Sequence, residues 1–537
     1  MSFLLVVATY GIVATWNITL PGVYMDAVNP DYLTVKILNP NHEHIVAWVL
    51  QGNYLLGNRL PILIQLYHGS QTFWLGLPLF WLFGTTVEGL RLAHAFLALG
   101  VLAALFYMLC RMQFSSFAAT AICAALAVDP SFSYAFRTQS YITLAPSAWL
   151  LLSIGLMSGP HPPSLRRWIW SGLLAGLAAS AYFVQGFFLL AVVPAVWITT
   201  YRSHETHWKA RSRWLFGLVI GLSSYSLGYI LLMRNVGGPL AFIDFFSRQQ
   251  AELGAFSSSI SLLERLAFEW LMLTGVVGNA WHHSMMFGEW TSLPLSSVKL
   301  TILLALPTLL WVIAEVRRVS SRAGRVIAGL IGAFLAVALV FGNRLGGHHY
   351  IILLPWLYAW LALGIRDATK AVNIPSQLQK FLSLGLMALV LGINLIGQVA
   401  EARTLVQTGG VGLMSDAINR FAADLNAMPN KPLIFFPDWG LALPIAFLTG
   451  GTVAMDDTER FDYARQRLCE GQDVEVALIR NPDIRRDTWT RALGWDEPEV
   501  KHYRQRDGTI VFDRIRYQAG SIGRNCPSKT TTLPETH

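Results

Sequence analysis

Cysteine is scarce in this sequence, and so is charge. Four cysteines in 537 residues, with no Cys-x-x-Cys spacing, exclude zinc-ribbon and dithiol redox motifs. Charged residues make up 13% of the chain, where soluble domains carry about a quarter, and 54% of the residues are hydrophobic. The low charge and the high hydrophobic content argue against an ordinary soluble protein and place the chain in a lipid bilayer.

Positive charge is concentrated in the apolar part of the chain. The formal net charge is +8, and about 23 basic and 13 acidic residues precede Glu401, against about 17 and 19 from Glu401 onward. Short cytoplasmic loops of membrane proteins carry such a basic excess, so the high pI gives little support to nucleic-acid binding. We expect membrane lipids as partners and no nucleic acid.

Hydrophobic runs recur through the first 400 residues. The first run ends at Pro21 and has neither a basic n-region nor a small-x-small cleavage site, so we expect a retained helix rather than a signal peptide. Shorter apolar stretches can also cross if neighbouring helices satisfy their backbone hydrogen bonds. Together with them, the pattern predicts about eleven transmembrane helices. The long runs are 3–20, 88–110, 214–233, 297–315, 326–342, 350–365 and 381–399, and the shorter ones are 115–128, 142–158 and 169–200, the last broken at Gln185–Gly186.

Basic residues fix the direction of these helices. With a cytoplasmic N-terminus, most basic loop residues fall on one side, as the positive-inside rule requires, and the C-terminal region falls outside. The residues on the predicted cytoplasmic side are Arg111, Arg166, Arg167, Arg202, Lys209, Arg211, Arg213, Arg317, Arg318, Arg322, Arg325, Arg366, Lys370 and Lys380.

The sequence predicts a polytopic α-helical membrane domain at 1–400, a small α/β extracytoplasmic domain at 401–519 and a disordered tail at 520–537. A long first outer loop, 21–87, contains an apolar stretch too short to span, Phe73–Phe83, which we interpret as an interfacial helix. The expected elements of the second domain are helices near 413–428 and 458–468, strands at 433–436 and 474–479, and a hairpin of 500–505 and 509–517 around Asp507-Gly508.

Two cysteines lie in the polar C-terminal region, Cys469 and Cys526. If this region faces an oxidising compartment, they are able to pair, a hypothesis that the sequence leaves open because it does not give their separation. Cys110 and Cys123 lie in or beside apolar segments, where core packing is the simpler explanation.

Two carboxylates follow the first apolar run, within Tyr24-Met25-Asp26-Ala27-Val28-Asn29-Pro30-Asp31-Tyr32. Asp31 is as well explained by a cap or a turn as by a ligand contact. We favour a functional interpretation for Asp26.

The order of short motifs carries a resemblance. Asp26 after a first helix, then Leu66-Tyr67-His68-Gly69-Ser70, then Leu82-Phe83-Gly84, then Gly89-Leu90-Arg91-Leu92 resembles the N-terminal half of the GT-C glycosyltransferases, the superfamily of protein O-mannosyltransferases and lipid A aminoarabinose transferases. The likeness covers about residues 1–115 as motif and about 1–400 as topology.

The resemblance implies an inverting sugar transfer at the extracytoplasmic face of the membrane. We expect this to be a bacterial plasma (inner) membrane, and the sequence leaves the endoplasmic reticulum open as the alternative. Asp26 is then the general base that accepts the proton of an acceptor hydroxyl, while a polyprenyl-phosphate-linked donor loses its phosphate. The sugar is open, and so is the acceptor, which is a glycan, a lipid or a protein. Such families commonly have Asp-Glu or Asp-Asp where this sequence has Asp26-Ala27, so no cofactor is certain and a divalent metal stays an open alternative.

A departing phosphate requires cations or hydrogen-bond donors near the membrane plane. The predicted substrate-binding residues are Asp31, Arg59, His68, Arg137, Arg344, His348, His349 and Tyr350. Arg344 is the favoured phosphate contact, although snorkelling to lipid head groups also explains it. An ion pair in the loop of Asp129 and Arg137 explains those residues as well as a ligand contact does.

The pairs His282–His283 and His348–His349 suggest a metal, but adjacent histidines diverge and no third ligand is evident. Glu269 and Glu289 are weaker candidates without an assigned role.

Two other classes of function remain in competition with the enzyme. A transporter or lipid flippase usually has ionisable residues near helix midplanes and duplicated halves, and the sequence shows neither. A non-catalytic envelope assembly protein would use the outer α/β domain to bind its partner.

Overall fold

The computed structural model describes residues 2–39, 53–55, 60–201, 207–253, 260–372, 374–479, 482–494, 498–519 and 526. The described chain divides into two compact units. The helical unit takes its residues from Met1–Thr19, Trp48–Gly84 and Glu88–Val406, and the mixed unit from Leu20–Ala47, Thr85–Val87 and Gln407–His537. The start of the predicted first outer loop therefore belongs to the mixed unit, because it packs there.

Helices dominate the described chain. The first twelve are α1 (Ser2–Thr15), α2 (Met25–Val28), α3 (Thr34–Leu38), α4 (Gln71–Phe83), α5 (Val87–Arg111), α6 (Ser116–Ala127), α7 (Pro130–Ala135), α8 (Tyr141–Leu144), α9 (Ser147–Met157), α10 (Leu165–Ala181), α11 (Leu189–Tyr201) and α12 (His207–Asn235). The remainder are α13 (Pro239–Leu253), α14 (Leu262–Val277), α15 (Ala280–Phe287), α16 (Ser296–Leu300), α17 (Leu306–Val316), α18 (Arg322–Phe341), α19 (Gly347–Tyr350), α20 (Leu354–Ala371), α21 (Ser376–Thr408), α22 (Ala417–Ala427), α23 (Ala442–Leu448), α24 (Phe461–Cys469) and α25 (Pro482–Leu493).

Within the described residues, 6 helical segments are long and apolar enough to cross a membrane. They are Val87–Arg111, His207–Asn235, Ser296–Val316, Arg322–Arg344, Gly347–Ala371 and Gln377–Thr408. Each coincides with a long run predicted from the sequence, which confirms the polytopic helical class. The first predicted run, 3–20, forms a helix of only 14 residues, α1. The total of about eleven spans stays a prediction.

The spanning segments differ in what surrounds them. Segment Gly347–Ala371 is almost wholly buried inside the protein, whereas α12 exposes large apolar side chains such as Phe216, Val219 and Ile230. A row of exposed large hydrophobic residues is unfavourable in water and suits lipid chains. The α19–α20 segment is therefore the centre of the bundle, and α12 is at its lipid-facing edge.

Helices α10 and α12 cross at paired small residues. Gly172 and Gly176 on α10 face Gly217 and Gly221 on α12, and a Cβ atom at any of these positions would lie within 2.4 Å of a backbone oxygen of the other helix. Two small-xxx-small motifs allow this close approach, as in other membrane helix pairs. The contact holds the C-terminal end of α10 in place.

The part of the first outer loop that belongs to the helical unit contains two small antiparallel pairs. Strands β1 (Tyr54–Leu55) and β2 (Leu60–Pro61) form one, and β3 (Leu63–Gln65) and β4 (His68–Gly69) form the other. Helix α4 follows directly and confirms the helix expected at Phe73–Phe83. The second pair positions His68.

The mixed unit contains a five-stranded sheet. Its strands are β5 (Leu433–Phe435), β6 (Ala454–Asp456), β7 (Val474–Leu478), β8 (Glu499–Arg504) and β9 (Ile510–Tyr517), in the order β6-β5-β7-β9-β8. The neighbours of β5 are parallel to it, and β9 is antiparallel to β7 and β8. The predicted hairpin is confirmed, with Gly508 at a φ of +92° that favours glycine.

A disulfide joins Cys469 and Cys526 in the mixed unit, with 5.7 Å between the Cα atoms. The pairing that the sequence left open is therefore present in the structure. Apart from Cys526, the tail predicted at 520–537 lies outside the described residues.

Candidate functional site

Asp26 lies on α2, a single helical turn of the mixed unit. Helix α23 packs against α2, and the ring of the adjacent Tyr24 meets Trp439 edge to face, with 5.5 Å between ring centroids. Burial raises the pKa of Asp26 to about 6. A carboxylate with this pKa is ionised at neutral pH and is also a stronger proton acceptor than an exposed aspartate.

Asp31 opens the next turn, a 3-10 helix at Asp31–Leu33, and is buried. Like Asp26, it belongs to the mixed unit, whereas the other described candidates belong to the helical unit. Arg59, a predicted substrate-binding residue, lies outside the described residues.

Arg137 closes the end of α1. One guanidinium nitrogen, Nη2, donates to the carbonyl oxygens of Val13, Ala14 and Trp16 at 2.7–2.8 Å. The carbonyls of Val13 and Ala14 are in the last turn of α1, where a helix leaves carbonyls without an internal donor, and a cation at a helix C-terminus interacts favourably with the helix dipole. Arg137 thus holds the first helix in place, and its predicted contact with substrate stays a prediction.

Four histidines of the helical unit form what we call the histidine cluster: His68, His282, His348 and His349. The chain Tyr67–Gly69 is held against the end of α10 by a backbone hydrogen bond from Phe183 to Tyr67 and by a bridge between His68 and Tyr182. The hydroxyl of Tyr182 lies 3.4 Å from Nε2 of His349.

The remaining histidines come from α15 and α19. Nε2 of His282 lies 3.3 Å from the hydroxyl of Ser140, and the rings of His348 and His349 are 3.8 Å apart. Thr143 donates to the backbone carbonyl of His348 at 2.7 Å, which fixes the start of α19. Residues distant in sequence are thereby gathered around the N-terminal end of the central α19–α20 segment.

Several buried polar atoms around this cluster have no hydrogen-bond partner among the described residues. They are Nε2 of His68, Nδ1 of His282, Nδ1 of His348, Oη of Tyr350, Oε1 of Glu269 and Nε1 of Trp281. A buried polar group without a partner costs about 1–3 kcal/mol, so such a concentration is expected where a polar ligand supplies the missing bonds.

Burial also sets the protonation states of His68, His282 and Glu269. It lowers the pKa of His68 to about 3, and burial together with the nearby His348 and Lys299 lowers that of His282 to about 3. Both imidazoles are therefore neutral at pH 7. Burial raises the pKa of Glu269 to about 7, so this carboxyl is near half-protonation at neutral pH.

Arg344 lies four residues before His348 and is exposed. Its guanidinium makes no hydrogen bond or ion pair with any described residue. Of the two described arginines among the predicted contacts, Arg137 and Arg344, it is thus the one that has all its donors available to an anion.

A second set of buried polar residues in the helical unit is arranged differently from the histidine cluster. This ion-pair network consists of Asp129, Asn279, Lys299, Tyr358 and Asn394. Lys299 pairs with Oδ2 of Asp129 at 2.8 Å and donates to Asn279 at 3.1 Å, and Tyr358 donates to the same Asp129 oxygen at 2.8 Å. Asp129 therefore pairs with Lys299 on a spanning helix and not with its loop neighbour Arg137.

Sequence reasoning missed part of the surroundings of the histidine cluster. Glu269 received no role, and Trp281 and Tyr182 were not singled out. A carboxylate in the apolar run of α14 was the available signal for Glu269. The aromatic residues gave none, because the sequence is rich in aromatics throughout.

A metal centre gains no support from the arrangement. Within the described part of the chain, no three His, Cys, Asp or Glu side chains are grouped so as to hold a metal ion. One ring nitrogen of His283, Nδ1, lies 3.2 Å from Glu401, which gives that histidine a structural partner.

The architecture defines the chain as an α-helical, multi-pass membrane protein of GT-C fold, as the resemblance in the sequence implied. The solved structure of ArnT from Cupriavidus metallidurans bound to undecaprenyl phosphate is similar over 97% of this chain and 99% of that one, with a TM-score of 0.59 and 14% identity. The apo structure of the same protein has a TM-score of 0.56 and 13% identity over 97% of this chain and 99% of that one.

A third similar structure is the arabinofuranosyltransferase AftD from Mycobacteria, with a TM-score of 0.50 and 16% identity over 97% of this chain and 40% of that chain. No protein-family model matches this sequence, and no curated protein matches it at a significant level. The likeness is therefore one of fold.

Proposed function

We propose that this protein is a glycosyltransferase that moves a sugar from a polyprenyl-phosphate-linked donor to an acceptor hydroxyl. The observation that carries the proposal is the full-length GT-C fold, shared with a protein whose solved structure contains undecaprenyl phosphate. The acceptor is a glycan, a lipid or a protein. The reaction takes place at the extracytoplasmic face of the inner membrane, the side to which the positive-inside rule assigns the C-terminal domain.

Asp26 acts as the general base in this proposal. It accepts the proton of the acceptor hydroxyl as that oxygen forms a bond to the anomeric carbon, and the bond from this carbon to the phosphate oxygen breaks. Attack from the face opposite the phosphate inverts the anomeric centre. The raised pKa of Asp26 supports the role, because a base works best when its pKa lies close to the operating pH.

The helical unit contributes the groups that hold the donor. The guanidinium of Arg344 has no partner among the described residues and is suited to the phosphate, whose charge rises as the bond breaks. The neutral histidines offer N–H donors and acceptors, and the rings of Trp281 and Tyr182 offer flat apolar faces suited to a sugar. Unpartnered atoms on His68, His348 and Tyr350 support this assignment.

The test is sugar transfer by the purified full-length protein. A panel of radiolabelled polyprenyl-phosphate sugars is offered to wild-type and Asp26→Asn protein, and release of sugar from the donor is measured separately from transfer, with and without a chelator. We expect turnover of one donor and a fall of about 10²- to 10⁴-fold in Asp26→Asn. Loss of activity with chelator would restore the metal alternative.

Asp483→Asn is the matched control, because Asp483 is an exposed carboxylate of the same unit, with 80% of its side chain accessible. It should leave the rate unchanged. If well-folded wild-type protein releases sugar from no donor in the panel, the glycosyltransferase proposal fails and a transport or assembly role takes its place.

A further inference from the structure

A cavity of about 290 Å³ lies in the helical unit between the ends of α5, α9, α18 and α20. Its lining includes four cationic side chains, Arg111, Arg322, Arg366 and Lys370, and the described lining residues include no carboxylate. Arg366 is 17 residues beyond His349 along the central segment, which corresponds to about 25 Å of helix. The cavity is thus at the opposite end of the bundle from the histidine cluster.

The only carboxylate adjoining this group in sequence is already engaged. Asp367 lies 3.3 Å from Nε of Arg366, and its second oxygen accepts the backbone N–H of Ser321 at 2.7 Å. Arg366 also donates to the carbonyl of Met112 and to the hydroxyl of Ser321, which anchors it in the wall. Among the described residues, this one carboxylate beside the lining is set against four cations in it, and a net positive charge remains.

Two cations retain capacity for an anion. Nε of Arg111 is buried without a hydrogen-bond partner among the described residues, while its Nη2 donates to the carbonyl of Ser158 at 2.8 Å. Lys370 is exposed at the rim and makes no hydrogen bond or ion pair with any described residue. The N-terminus of α18 also opens here, and its dipole adds positive potential.

The positive-inside rule explains why basic residues occur at this end but not why they converge. Arg213, Arg317 and Arg318 are on the same predicted side, are exposed and do not line the cavity. Topology needs only such dispersed charges. Bringing four like charges from three helices together costs free energy unless an anion compensates them.

We infer that this cavity is a binding site for a phosphate group, separate from the candidate transfer site. The cavity is large enough for a phosphate with part of a head group, and basic pockets between membrane helices bind anionic lipid head groups in this way. Because the cavity opens at a helix end, the phosphate arrives either on a lipid or free in solution.

The experiment measures binding to the full-length protein in neutral detergent by calorimetry. The probes are dioctanoyl phosphatidic acid, inorganic phosphate and dioctanoyl phosphatidylcholine. We expect saturable binding of phosphatidic acid that weakens with salt, and weaker binding of the zwitterionic lipid. The double variant Arg322→Gln/Lys370→Gln should weaken it about thirtyfold, since each charge near a membrane surface contributes about a factor of five.

Arg213→Gln/Arg317→Gln is the matched control, because it removes the same charge from exposed positions outside the cavity. It should change the affinity by about threefold or less. If inorganic phosphate binds as tightly as phosphatidic acid and responds to the same variant, the site is confirmed with a soluble ligand. The inference is overturned if neither phosphate probe saturates, or if both double variants weaken binding equally.

Discussion

Two buried polar groups in the same helical unit are built in opposite ways. In the ion-pair network, Asp129 is bound by Lys299, by Tyr358 and by the backbone N–H of Ser131. Asn394 Oδ1 is its one atom without a partner among the described residues. Around the histidine cluster, six buried atoms have no hydrogen-bond partner among those residues. A satisfied network stabilises a fold, whereas an unsatisfied one lowers stability unless a ligand completes it. The comparison separates the residues that hold the protein together from those that we expect to bind substrate.

The largest expected effect comes from breaking the ion pair. Lys299→Met leaves the carboxylate of Asp129 buried without its cation, and we expect the free energy of unfolding to fall by about 3–5 kcal/mol. Thermal unfolding of the detergent-solubilised protein measures this loss. Lys299→Met/Asp129→Leu should recover part of it. The exposed pair Arg325 and Glu315 is the control, and Arg325→Gln should cost less than about 1 kcal/mol.

A second test uses pH to change the protonation of Glu269, one of the residues around the histidine cluster. The pKa of Glu269 is raised by burial to about 7 in the folded protein, above its ordinary value of 4.5. The folded state therefore holds a proton that the unfolded state has lost, and this contribution to stability disappears as the pH rises from about 4.5 through about 7. We expect the free energy of unfolding to fall over this range by on the order of 2 kcal/mol, and to change less in Glu269→Gln. Equal pH dependence in both proteins would contradict the assignment.

Two tyrosines on the central segment give the most closely matched comparison. Tyr358 donates to Asp129 and accepts from Asn394, whereas the hydroxyl of Tyr350 has no partner among the described residues. Tyr358→Phe should cost about 1–3 kcal/mol of stability, and Tyr350→Phe should cost nothing or stabilise by about 1 kcal/mol. Unfolding curves of the two variants decide between these outcomes, and a larger loss in Tyr350→Phe would reverse the comparison.

The smallest expected effect concerns Arg344, whose guanidinium is exposed and has no partner in the part of the chain that the structure describes. Arg344→Gln should leave the unfolding midpoint unchanged and raise the KM for the lipid-phosphate donor by about tenfold, since a charge-assisted bond to phosphate is lost. Arg344→Lys should restore part of the affinity. An unchanged KM in Arg344→Gln would assign the residue to lipid head groups instead.

Much of the fold follows from one-dimensional patterns. Six of the seven apolar runs of crossing length coincide with helices that are long enough to span, because lipid selects for continuous apolar helices. The turn at Asp507-Gly508 predicted the hairpin of β8 and β9 because few residues tolerate the required backbone angles. Strand β6 was not predicted, since Ala454–Asp456 forms no apolar run like that of β5, and its register is set by β5.

The candidate site was predictable only in part. His68, His348 and His349 were chosen for their residue types near helix ends, and the structure brings them together. Arg137 was chosen for the same reason, but its contacts are with the end of α1, because a helix terminus competes with a ligand for the same donors. The partner of Asp129 lies 170 residues away at Lys299, a separation that no local pattern encodes.

The most direct test of the central claim is the pH dependence of transfer from a polyprenyl-phosphate sugar, measured between about pH 5 and pH 8 for wild-type, Asp26→Asn and Asp483→Asn protein. With Asp26 as the base, the wild-type rate should rise with pH and reach half its maximum near the pKa of about 6. The Asp483 variant should follow the same curve, and the Asp26 variant should show only a low rate that lacks this step. An Asp26→Asn protein that keeps the wild-type rate and profile would contradict the account.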